Sequence, residues 1–126
     1  MITEQLRERY GIRHTGTMVS IVAAATPTSV YLLTTGRTCE IRKIMISNRN
    51  PANANIQIGM GLGAAFVQCI PQIFAVGSGQ DLEITEEQIP NFEFTADITA
   101  QSSAAAAAPN DVQIQVEVEE YQGPNG

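Results

Sequence analysis

Alternation of apolar and polar positions is clearest at the C-terminal end of the chain, where Val112, Ile114, Val116 and Val118 fall on one side and Gln113, Gln115, Glu117 and Glu119 on the other. That period of two predicts a strand with one buried and one wet face. The same alternation runs from Phe92 to Ala100, with Phe92, Phe94, Ala96 and Ile98 expected inward. Upstream, Thr17 to Ala24 places Val19 and Ile21 on one face. Thr28 to Thr35 sets Val30, Leu32 and Thr34 against Tyr31 and Leu33, bounded by Pro27 and Gly36. The segment Arg37 to Gly59 carries two apolar runs, Ile41 to Ile46 and Ile56 to Ile58, around the polar stretch Ser47 to Asn55. Its four asparagines and Pro51 suit a turn, so a β-hairpin is expected as the central pair. Ile41 is out of step with Ile44 and Ile46, which predicts a β-bulge near Arg42 and Lys43.

Between these runs the chain is punctuated by turn residues. Gly59 to Ala65 is expected to be a flexible loop. Phe66 to Val76 is β-prone but broken by Pro71, so it is an edge strand, a bulge or two short strands. Gly77 to Gly79 turns the chain, Asp81 to Thr85 is a brief strand, and Glu86 to Asn91 turns it again. Ala104, Ala105, Ala106, Ala107 and Ala108 form a loop that Pro109 keeps from becoming a helix. Their methyl groups offer a smooth surface for a neighbouring subunit, and a tolerated loop tip is the plainer alternative. Residues 3–10 predict a two-turn helix, capped by Thr3 and ended by Gly11, that is too short to stand alone in water. It is expected to be a partner-facing or loose arm, through Ile2, Leu6 and Tyr10 with Arg7, Arg9 and Arg13. The expected organisation is an all-β, antiparallel β-sandwich of about seven or eight strands, jelly-roll or immunoglobulin-like. It divides into an arm over residues 1–14, the sandwich over 15–121 and a flexible tail over 122–126.

Composition narrows the function. The 126 residues are 44% hydrophobic and 16% charged, enough for one core. No apolar run approaches the ~20 residues that cross a bilayer, so no membrane partner is expected and synthesis in the cytosol is. Cys39 and Cys69 have no His or Cys at metal-ligand spacing and are expected to be reduced. All seven basic residues lie before position 50, against three acids there, while ten acids and no base follow. Either the two halves pair inside one fold, or a basic region of one subunit meets an acidic face of another.

Candidate chemistry fails by inventory. Gly59, Gly61 and Ala64 formally match a dinucleotide-binding fingerprint, but the following FVQCIPQIF is β-prone, where that motif needs a helix. A cupin-type metal site needs several histidines, and His14 is the only one. The same histidine would have to serve Ser47 or Cys69 as a nucleophile. Glu86 with Glu87, and Asp81 with Glu83, sit in turn-rich sequence as solvated charges, and no calcium loop is present. Arg7, Arg9 and Arg13 alone do not outweigh an acidic remainder for nucleic acid. No enzyme activity, catalytic residue, metal or cofactor is expected.

The stretch VYLLTTGRTCEIRKIMISNRNPANANIQIGMG resembles a pattern, Y-x-x-x-x-G-(K/R)-T-x-x-(I/V)-x-x-I-x-(I/V)-x-N, of small β-sandwich structural proteins of tailed bacteriophages. Tyr31, Gly36, Arg37, Thr38, Ile41, Ile44, Ile46 and Asn48 carry the likeness, which spans about residues 28 to 121. It implies a non-enzymatic virion protein, a head decoration or cement subunit. Such a subunit binds a major capsid protein or another virion protein in many copies and forms a homo-oligomer, with a trimer as the expected count. Its expected location is the virion, after synthesis in host cytoplasm. A receptor- or glycan-binding module of a fibre, and a non-viral shell or filament subunit, are the alternatives.

Overall fold

A computed structural model describes residues 11–122. Ten strands follow one another: β1 Ile12–Thr15, β2 Val19–Ile21, β3 Thr28–Tyr31, β4 Arg37–Asn48, β5 Ala54–Met60, β6 Val67–Gln68, β7 Phe74–Val76, β8 Asp81–Ile84, β9 Ile98–Ser102 and β10 Val112–Gln122. They form two antiparallel sheets. In sheet A, β1 and β2 lie end to end along β10, followed by β4 and β8; in sheet B, β3 pairs β9, β9 pairs β5, and β5 takes both β6 and β7. Counting each broken strand once gives four strand positions per sheet, in the order of a jelly roll. The predicted all-β sandwich is therefore the observed architecture.

The core lies between the sheets. Val112, Ile114, Val116 and Val118 of β10 are fully buried and meet Ile56, Ile58, Ile98 and Ala100 from the other sheet. β10 is the longest partner of β4, and their register shows the expected bulge: Glu117 faces Lys43 and Val118 faces Ile41, which leaves Arg42 as the extra residue. The bulge brings Ile41, Ile44 and Ile46 all inward and leaves Met45 at the surface.

Three expectations are corrected. β4 and β5 do not form a hairpin; they belong to opposite sheets, and residues 49–53 carry the chain across. Turn-forming residues suit an arch between sheets as well as a hairpin, and long-range pairing with β10 and β9 decides between them. Buried Asn48 fixes the arch: its amide donates to the carbonyls of Ala52 (3.0 Å), Val76 (3.0 Å) and Gly77 (3.2 Å), and its oxygen accepts the Asn50 N–H (2.9 Å). Second, Phe92 to Ala100 is not one strand. Phe94 makes a bridge to Cys39 of sheet A, so the chain crosses between layers there, Ala96 is exposed, and β9 begins only at Ile98. Third, the register of β3 on β9 shifts between Ser29 and Tyr31, so Tyr31 turns inward and Leu32 stands 72% exposed.

Pro71 separates β6 from β7, two short strands on one edge of β5. The loop after β5 is built around a 3-10 turn, Gly63–Ala65, and among the described residues no longer helix follows it to hold a phosphate. Within β5, a Cβ on Gly59 would lie 1.9 Å from the Val67 carbonyl oxygen, so only glycine lets β6 approach β5 this closely.

Candidate assembly surfaces

The two outer faces of the sandwich differ in charge. On sheet A, Arg13 of β1 lies 2.8 Å from Glu117 and 3.7 Å from both Glu119 and Glu86. Arg42, the bulge residue, sits 2.9 Å from Glu119, 3.1 Å from Glu40 and 3.6 Å from Glu86, and also donates to the Tyr121 hydroxyl. Lys43 faces Glu83 at 3.5 Å. Among the described residues, Arg13, Arg37, Arg42 and Lys43 of the basic first part thus pair with acids of the later part within one fold. The exposed pairs of Arg13 with Glu86 and Lys43 with Glu83 each contribute about 0–1 kcal/mol, while Arg42 and Glu119 form a half-buried pair at the centre of the network.

Sheet B is the opposite case. The strands TSVY, ANIQIGM, VQ, FAV and ITAQS contain no charged residue. On the outer side of β5, between inward Ile56 and Ile58, Gln57 donates to Gln68 (3.1 Å) and accepts from Gln101 on β9, and Gln68 donates onward to the Ile70 carbonyl (2.8 Å). This ladder of amides crosses the middle of the sheet. Beside it lies a shallow groove lined by Ala25, Asn55, Ile73, Gln101 and Ser103. Ile73, 54% exposed, adds apolar surface beside the groove.

At one end of the sandwich the alternation of β10 carries Glu120 inward, where its side chain is fully buried. Tyr31 and Thr34 donate hydroxyl hydrogen bonds to one oxygen. The other oxygen has no hydrogen-bond partner and faces His14 at 3.7 Å and Arg37 at 3.8 Å. Burial pushes the Glu120 pKa up, but the Tyr31 and Thr34 bonds and the His14 charge together hold it below the ordinary carboxylate range. The same contact, added to burial, drives the Tyr31 phenol well above its usual value. Cys39 is pushed up to about 12 by burial and then by the charges of Glu120 and Glu40, so it is a packed thiol rather than a nucleophile. Burial also raises Cys69, and both cysteines are free. Among the described residues no group of three or more His, Cys, Asp and Glu is placed to hold a metal.

Of the residues expected to meet partners, Ile2, Leu6, Arg7, Arg9 and Tyr10 lie outside the described residues. Arg13 lies within sheet A, which begins at Ile12. In the alanine loop, Ala104 and Ala105 pack against the core, Ala106 is half-buried, and Ala107 and Ala108 are exposed. Sequence reasoning missed the uncharged face. Part of the signal was present in the total absence of charge from residue 50 to residue 80, which holds β5, β6 and β7, while β3 and β9 of the same sheet lie outside that stretch.

No protein-family model and no curated protein matches the sequence. Among solved structures, the chain is similar to a Bacillus endospore appendage protein of disulfide-linked pili, with a TM-score of 0.52 and 13% identity over 89% of this chain and 88% of that one. It also matches the tobacco streak virus coat protein, at TM-score 0.49 and 7% identity over 92% and 88% of the two chains. A third match is a capsid chain of cyanophage Pam1, at 0.39 and 14% over 89% and 86%. At such identities the first likeness concerns the fold alone.

Proposed function

We propose that the protein is a non-enzymatic structural subunit that acts by repeated protein–protein contact, and that its specific role is that of a capsid decoration subunit in a virion. The observation that carries this is the uncharged face of sheet B. A sheet of four strand positions without one Lys, Arg, Asp or Glu is built like the core of a protein interface, where charge is depleted, more than like a surface left to water. The phage-like pattern around Gly36 to Asn48 supports the virion role. The N-terminal arm, through Ile2, Leu6, Arg7, Arg9 and Tyr10, is proposed to reach a sister subunit or the capsid, with arms closing a ring of three copies. Many weak copies then hold by avidity.

A filament or shell outside a virus is the second reading, favoured by the fold shared with a protein described as forming pili. A glycan-binding module is disfavoured by the aromatic side chains. Tyr31 and Tyr121 are engaged inside the fold, Phe92 packs edge-on against Phe94, and none of the large exposed apolar residues among those described is aromatic.

Co-expression with a capsid protein encoded beside its gene tests the virion role. Purified particles should carry the chain in a fixed, many-fold ratio, and particles free of it would contradict that role.

A further inference from the structure

We propose that a groove on sheet A, at the Gln113 end of β10, receives residues 1–10 of a second copy of this chain, so that copies join head to tail. The inference rests on the structural-subunit reading and names the surface that the N-terminal arm meets. The groove lies where β10, β4 and β8 run side by side. Met18, Met45 and Leu82 give it apolar surface, and the two methionines stand 43% and 37% exposed. Their flexible thioether chains can shape themselves to an incoming apolar side chain. Charge of both signs borders them. On the β8 side are Asp81 and Glu83, both exposed; Glu83 meets Lys43 at 3.5 Å, and Asp81 has no basic partner among the described residues. On the β10 side the exposed Arg49 donates to Gln113 at 2.9 Å.

Such a groove fits a segment that carries an apolar side chain with basic and acidic neighbours. Two segments of the chain lie outside the described residues. Residues 123–126, GPNG, offer neither a charged side chain nor a large apolar one. Residues 1–10, MITEQLRERY, set Leu6 between Glu4 and Arg7, with Glu8 and Arg9 beyond. Arg7 and Arg9 complement the wall of Asp81 and Glu83, and the glutamates complement Arg49. Direction selects a second copy. β1 runs from Ile12, opposite Glu120, to Thr15, opposite Glu117, so residues 1–10 join sheet A at the Glu120 end, whereas the groove lies at the other end of β10. An arm turned back to its own groove would cross the ion pairs of Arg13 with Glu117 and Glu119 and desolvate them. Donor and acceptor at opposite ends make the contact heterologous, which gives a ring where the rotation closes and a filament where it does not.

Sedimentation velocity over a range of concentrations tests this with full-length variants. Arg7→Glu with Arg9→Glu reverses the arm, and Asp81→Lys with Glu83→Lys reverses the groove wall. Each variant chain alone should self-associate at least about tenfold more weakly than wild type. An equal mixture of the two should recover, because reversed arms then meet reversed grooves and native arms meet native grooves. Asn55→Lys, at an exposed position of sheet B, should leave self-association unchanged. Met18→Glu puts a charge on the apolar surface and repeats the groove half of the test should the β8 variant fail to fold. Recovery in one chain that carries all four reversals, without recovery in the mixture, means that each arm binds its own groove and overturns the head-to-tail contact. Self-association indifferent to the reversals overturns it as well. A chain that is monomeric at every concentration and still enters particles overturns it too, and leaves the structural-subunit reading standing. A monomer that neither associates nor binds particles overturns both.

Discussion

Glu120 keeps a carboxylate inside the sandwich, with one oxygen bonded by Tyr31 and Thr34 and the other facing His14 and Arg37 without a hydrogen bond. Its folded-state pKa lies below the ordinary glutamate value, so its share of stability is fully present above the unfolded-state pKa and is lost as pH falls through the folded one. Asp111 at the other end of β10, held low first by the Ser20 hydroxyl at 2.5 Å, acts in the same direction. Melting temperature should therefore drop in acid, as pH falls below the unfolded-state carboxylate pKa and on through the lower folded-state one. Glu120→Gln should lower it at neutral pH, and the gap to wild type should narrow as pH falls. A gap that stays constant with pH, in melts followed by circular dichroism, would refute the assignment. Glu120→Ala should lose about 2–4 kcal/mol, since it leaves a cavity and strands the Tyr31 hydroxyl. The inward position of Glu120 follows from the alternation that places Val112 to Val118 inward. Its partners do not, because Tyr31, Thr34 and His14 lie at least 86 positions away.

Elements were legible where one face is buried against one neighbour. β10 and the β4 bulge are of that kind: period two, with one interruption at Arg42, points to a unique arrangement. The arch from β4 to β5 was not, since Asn-rich turn chemistry is local while the choice of sheet is set by partners far along the chain, from Met60 with Ile98 to Arg37 with Gln122. Asn48→Ala removes the side chain that gathers three carbonyls and one N–H across that arch, and it should lower unfolding free energy by about 2–3 kcal/mol in urea titrations. Gly59→Ala should lose about 1–3 kcal/mol or more, because the added methyl meets the Val67 carbonyl oxygen and β6 must lift from β5. A variant as stable as wild type would show that β6 is not held there. The false start at Phe92 has the same origin as the missed arch: Phe94 obeys alternation locally but bridges to Cys39 in the opposite sheet.

At the scale of the whole molecule, basic residues early in the chain pair with later acids on sheet A, and the uncharged stretch from residue 50 to residue 80 supplies β5, β6 and β7 of sheet B. A sandwich with one solvated face and one face empty of charge is suited to broad contact on a single side. The arm is the second proposed contact, and because β1 starts at Ile12 its removal should stop at Tyr10, to leave sheet A whole. The measurement that bears most directly on the account is the solution mass by light scattering, of the full chain and of residues 11–126, at several concentrations. The account predicts an oligomer that grows with concentration and shrinks to a smaller species without the arm. A monomer at every concentration in both forms would contradict it.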